Sequence, residues 1–195
     1  MIVLVNSEEG IVVTAKNKDK KILWSELKKE IVKYDHPKLI ELISSLYSLS
    51  KENKRFLEAK IINDDNVIEK YREIISKSIS TEAPWLKSRQ LNLKNAKKAI
   101  SDYKKATENI EGVLDLMIHY VECGTQFTLA FGDIDEGFYN SMESMFENVL
   151  KLMSPNNYSQ DFLNRIKGIV KESQDMGWGY YDNLSYMLEK WQEQK

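Results

Sequence analysis

From residue 22 onward, apolar residues recur at spacings of three and four, the signature of helices with one face in a core. Leu23, Trp24, Leu27, Ile31 and Tyr34 make the first stripe, with Ser25 placed to cap it. Asp35-His36-Pro37 stops that helix, because the residue before Pro resists the α region while Pro itself suits a first helical turn. Leu39, Leu42, Ile43, Leu46 and Tyr47 form the next stripe, and Ser50 caps another carrying Phe56, Leu57 and Ile61. Asn63-Asp64-Asp65 opens a helix with Val67, Ile68, Tyr71, Ile74 and Ile75 on one face, its acids suiting the positive end of the helix dipole.

Residues 79–90 break the period, and Trp85 follows Pro84 there. Beyond them Leu93, Ala96, Ile100 and Tyr103 share a face, with Lys94, Lys97, Lys98, Lys104 and Lys105 opposite. Residues 110–131 predict a long helix apolar on more than one face, and so a central one. Gly132-Asp133-Ile134-Asp135 ends it and caps a helix bearing Phe138, Met142, Met145, Phe146, Val149 and Leu152. Two more stripes follow: Phe162, Leu163, Ile166 and Val170, then Tyr181, Leu184, Met187, Leu188 and Trp191. The pattern predicts an all-α fold, a multi-helix bundle or an α-solenoid-like layer, without a fixed-period repeat. Residues 2–5 and 11–14 are rich in β-branched side chains around a Gly-containing loop, which reads as a short β-hairpin or a loosely held tail. The expected organisation is residues 1–21 as hairpin or tail, 22–78 as a small helical part, 79–90 as a connection and 91–195 as a larger helical layer.

Composition narrows this further. Of 195 residues, 42% are hydrophobic and 30% charged, which excludes a disordered chain. Three Pro and eight Gly supply too few turns for an all-β sandwich, and one Cys excludes a disulfide framework or a Cys-rich zinc site. The apolar start ends at Asn6 without a basic lead, and no run approaches the ~20 apolar residues of a transmembrane helix. A cytoplasmic protein without a membrane partner is expected, with Cys123 reduced. The net charge of −2 conceals a split. Residues 1–108 carry 22 Lys and Arg against 16 Asp and Glu, and residues 109–195 carry 6 against 14, hence +6 and −8.

Residues 93–103 (LKNAKKAISDY), 119–122 (HYVE), 132–136 (GDIDE), 138–147 (FYNSMESMFE) and 177–180 (GWGY) form a recognisable set. Together they resemble an uncharacterised bacterial family, domain of unknown function 6155. The likeness extends upstream through 41–47 and 53–58 and covers about residues 23–191. It implies an all-helical cytoplasmic protein and supplies no activity, cofactor or catalytic residue.

Candidate chemistry is sparse. Asp115, His119, Glu122 and Gln126 fall on one face of the central helix, a stripe that could ligate a divalent metal or do acid–base work, though a solvated stripe or one hydrogen-bonded against the next helix is the favoured expectation. Glu136, Glu143 and Glu147 could join Asp115 and Glu122 in an acidic cluster, but the di-metal helix signature Glu-x-x-His is reversed here. Asp133, Asp135 and Gly137 fail the calcium-loop pattern at its later positions. No metal or cofactor is expected. Lys94, Lys97 and Lys98 offer phosphates a basic stripe, against a pI of about 5.8 that is low for a nucleic-acid domain. Trp178, Tyr180 and Tyr181 follow or flank two glycines. Turned outward they make a protein-binding surface, and turned inward, the favoured orientation for Trp178, they lock the last helix. The leading functional expectation is a cytoplasmic protein-binding or adaptor module that binds another protein or itself. An enzyme site around Asp115, His119 and Glu122 comes second, and nucleic-acid binding third.

Overall fold

The computed structural model describes residues 22–62, 65–79, 91–153 and 158–194; the hairpin expected in residues 1–21 lies outside them. Nine helices account for the described regular structure: α1 (Trp24–Ile31), α2 (His36–Leu49), α3 (Lys51–Ile61), α4 (Asp65–Ser78), α5 (Leu93–Ala106), α6 (Ile110–Phe131), α7 (Glu136–Met153), α8 (Gln160–Glu172) and α9 (Tyr180–Glu193). Short polar residues set most of the starts. Asp35 Oδ1 accepts from Lys38 N, Ser50 Oγ from Asn53 N and Asn92 Oδ1 from Asn95 N, each at 3.0 Å. Asn109 and Asp135 do the same for α6 and α7 at 2.9 and 2.8 Å. Ser25 is not a cap: α1 starts at Trp24, and the Glu26 carboxylate reaches back to the Leu23 N–H at 3.3 Å.

Contacts divide the chain into Met1–Leu46 and Tyr47–Lys195. In the first unit, α1 and the larger part of α2 bury none of their residues. The expected boundary at 79–90 is therefore corrected, since α3 and α4 belong with the C-terminal helices. The reason is the apolar face of α4: Val67, Tyr71 and Ile75 are buried, and Tyr71 meets Tyr103 of α5 edge-on with ring centroids 5.2 Å apart. The ends of the connection are also pinched together, with Ile79 and Leu91 forming an isolated antiparallel bridge and Asn92 N donating to Ser78 O at 2.8 Å.

Within the second unit α6 is the hub, touching α4, α5, α7 and α8. A solenoid repeat contacts only its neighbours, so this is a bundle and the solenoid alternative falls. Thirteen residues of α6 are buried, among them Leu114, Leu116, Ile118, Tyr120 and Val121, which realises the sequence reading of a helix apolar on several sides. The α9 end is fastened by Tyr180, buried against Tyr139 with ring centroids 5.1 Å apart. Among the described residues, no helix is long and apolar enough to cross a membrane.

Candidate functional site

The polar stripe of α6 faces α4 on one side and α8 on the other, and its carboxylates meet arginines rather than each other. Asp115, only 6% exposed, accepts from Arg72 Nε at 2.7 Å and from Arg72 Nη2 as well. Its Oδ1 also accepts from Arg165 Nη1 at 2.6 Å. Arg165 then grips Glu122 with a two-pronged fork, Nε to Oε1 at 2.8 Å and Nη2 to Oε2 at 2.7 Å. The carboxylates tie α4, α6 and α8 together through two planar cations, a geometry Lys could not supply. Burial alone would raise the Glu122 pKa, but the Arg165 and His119 contacts outweigh it and hold the carboxyl at about 2.

His119 lies one turn beyond Asp115, and its two nitrogens look in different directions. Nδ1 is 3.7 Å from Glu122 Oε2, while Nε2 is 2.8 Å from Ser76 Oγ on α4 and 3.5 Å from Cys123 Sγ. Burial disfavours the charged ring, but hydrogen bonding to Cys123 and Glu122 prevails and lifts its pKa to about 9. His119 is thus an imidazolium at neutral pH, a proton donor rather than a base. Ser76, His119 and Cys123 line a cleft of about 510 Å³ between α4 and α6. Gln126 ends the stripe and donates to Glu172 at 2.7 Å.

Of the expected stripe, Asp115 and Glu122 are therefore structural anchors, and only His119 still presents a reactive atom to the cleft. The acidic cluster with the α7 carboxylates does not form: Glu143 accepts from Asn183 at 3.0 Å and Glu147 pairs with Lys151 at 2.7 Å. Among the described residues, no three of His, Cys, Asp and Glu are grouped to hold a metal ion. The sequence pattern did not single out Arg72, Arg165 or Ser76, and it gave Cys123 no role beyond being reduced. Two signals were available: only four of the 28 basic residues are Arg, and Cys123 stands four positions after His119.

The aromatic turn also needs correction. Tyr180 is core, with its hydroxyl 3.2 Å from Thr125 Oγ1, and Tyr181 is half-buried. Trp178 points outward at 58% exposure rather than inward. Its φ of 59° is the one left-handed value found for a non-glycine among the described residues, and Gly179 follows at 69°. Asp133 anchors the turn, accepting from Gly177 N at 3.0 Å and from the Tyr139 hydroxyl at 2.6 Å. On α5, Lys94, Lys97 and Lys98 are exposed as expected, but Lys98 is paired with Asp102 at 2.7 Å. Lys97, Lys104 and Lys151 rim an apolar groove of about 910 Å³ floored by Ile100, Val113 and Met117.

No protein-family model, curated protein or solved structure matches the chain.

Proposed function

We propose that this chain is a helical protein-association module whose partner is a second copy of itself. The outward Trp178 carries the reading. A bulky residue in the left-handed region costs about 1–3 kcal/mol, and such strain persists where the surroundings over-determine it. Here the anchored Asp133 on one side and the buried Tyr180 on the other do so, and they hold an indole in solvent. Trp is the side chain that most often dominates an association surface.

Charge supplies the receptor. Asp133, Asp175 and Asp182 accompany Trp178 in space or sequence, within the half that carries −8. Lys97 and Lys104 rim the apolar groove between α5, α6 and α7, where Lys151 is already paired with Glu147. An indole carried by an acidic segment fits a lysine-rimmed apolar groove, so the contact is head-to-tail and uses a different face on each copy. Nucleic acid has less in its favour, because Lys98 is engaged by Asp102 and two of the other lysines border apolar rather than open surface.

Sedimentation velocity from about 5 to about 200 µM tests this at low ionic strength, where the screening length is long. The expected outcome is a mass that rises with concentration and falls back to monomer at about 0.5 M salt, in Trp178→Ser and in Lys97→Glu/Lys104→Glu. A monomer across the whole range at low salt overturns the reading.

A further inference from the structure

With Asp115 and Glu122 tied to Arg72 and Arg165, the reactive atoms left facing the cleft are Ser76 Oγ, His119 Nε2 and Cys123 Sγ. They converge: Nε2 stands 2.8 Å from the hydroxyl and 3.5 Å from the sulfur, and Ser76 Oγ is 3.9 Å from that sulfur. Glu122, fixed by the Arg165 fork, lies on the far side of the ring. A thiol, an imidazole and an orienting carboxylate in this order form a nucleophile with its own proton carrier.

The surroundings decide which electrophile fits. An acyl donor needs preorganised hydrogen-bond donors for the oxyanion it forms. Here the backbone N–H groups around Ser76 and Cys123 lie inside helices and are spent on their ladders. The Arg72 and Arg165 forks are spent on Asp115 and Glu122. A hydroperoxide asks for less: a sulfur nucleophile, a proton for the departing oxygen and room for a few atoms.

We propose that Cys123 is a site of oxidation by small hydroperoxides, with His119 protonating the leaving oxygen. His119 already carries its proton, so the reacting sulfur is the thiolate, its own proton released to water, and Sγ attacks the distal peroxide oxygen. The S–O bond forms as the O–O bond breaks, and its electron pair goes to the other oxygen. That oxygen takes the Nε2 proton and leaves as water or an alcohol. Sulfur gives up two electrons, the peroxide gains them, and the product is a sulfenic acid. The sequence holds one Cys, so the reaction that restores the thiol must bring an external thiol, through a mixed disulfide. Ser76 is a positioning residue that holds the ring where both sulfur and peroxide can reach it. The other charges around His119 are Glu69, Arg72, Glu73 and Lys77 from α4, Glu122 from α6, and Arg165 from α8.

The full chain is treated with hydrogen peroxide, and addition of one oxygen is followed by intact mass, with dimedone trapping and peptide mapping to place it. The folded chain is expected to oxidise at Cys123 at least about tenfold faster than the same chain unfolded in urea, in line with general-acid assistance. His119→Gln, checked for helicity, is expected to lose that advantage. The pH profile needs no variant: the rate is expected to fall above about pH 9 as His119 loses its proton, whereas an unassisted thiol keeps gaining thiolate. A folded chain that reacts no faster than the unfolded one, oxygen placed on methionine alone, or a rate still rising above that pH overturns the proposal. None of these outcomes bears on self-association through Trp178, which does not line this cleft and is read by sedimentation.

Discussion

Asp115 has a guanidinium on either side, and the consequences of that single carboxylate are calculable. Removing one partner of a buried ion pair costs about 3–5 kcal/mol, because the remaining charges stay desolvated. Arg72 and Arg165 keep 33% and 20% of their side chains exposed and can partly turn to water. Asp115→Ala is therefore expected to lose about 3 kcal/mol, the low end of that range, measured by urea unfolding. The same network gives the molecule a pH signature. Glu122 is held near 2 against an ordinary 4.5, so its contribution is present above pH 4.5 and is lost as the pH falls toward 2. His119 is raised from 6.5 to about 9, so its contribution is complete below pH 6.5 and is lost as the pH climbs through 9. The melting temperature should peak between these limits and decline on both sides, and Glu122→Gln should flatten the acidic limb. Sequence spacing placed Asp115, His119 and Glu122 on one face correctly, because helical periodicity is local. It could not show that two arginines, 43 and 50 residues away in the chain, would occupy the carboxylates.

Helix faces and caps were the most legible features. Ser50 and Asp135 cap where their short oxygens suggested, and α6 is central because apolar side chains surround it. Ser25 failed as a cap because Glu26 offered its carboxylate to the preceding N–H instead. The contact between α5 and α6 makes a sharper prediction. Gly112 lets the Tyr103 ring lie directly on the α6 backbone, and a Cβ built there would stand 2.8 and 2.9 Å from Tyr103 Cε1 and Cζ. Tyr103 is 2% exposed and locked edge-on against Tyr71, so it has nowhere to move. Gly112→Ala should gain helix propensity but lose more to overpacking, a net destabilisation of about 1–3 kcal/mol by denaturant midpoint. An unchanged midpoint would mean that the ring is looser than its packing implies.

For the whole molecule, the decisive fact is where the core begins. Among the described residues, every buried apolar residue lies between Ala59 and Trp191. A chain starting at Tyr47 is expected to melt within about 3 °C of the full chain, the equivalent of about 1 kcal/mol at this length; calorimetry on the two chains checks it. A larger drop would show that the first helices contribute core contacts. The net charge of −2 sums a half at +6 and a half at −8, an asymmetry that would favour the head-to-tail contact proposed above. By itself the sequence determined the all-helical class, the positions of most helices and their inward faces, because 3.6-residue periodicity and capping act within a few positions of each residue. Only the tertiary structure decided the rest. It joined α3 and α4 to the C-terminal bundle, gave Arg72 and Arg165 to Asp115 and Glu122, brought Ser76 to His119 and Cys123, and turned Trp178 outward while Tyr180 went in. Each of these depends on which distant helix supplies the neighbour, and periodicity along one helix carries no information about that.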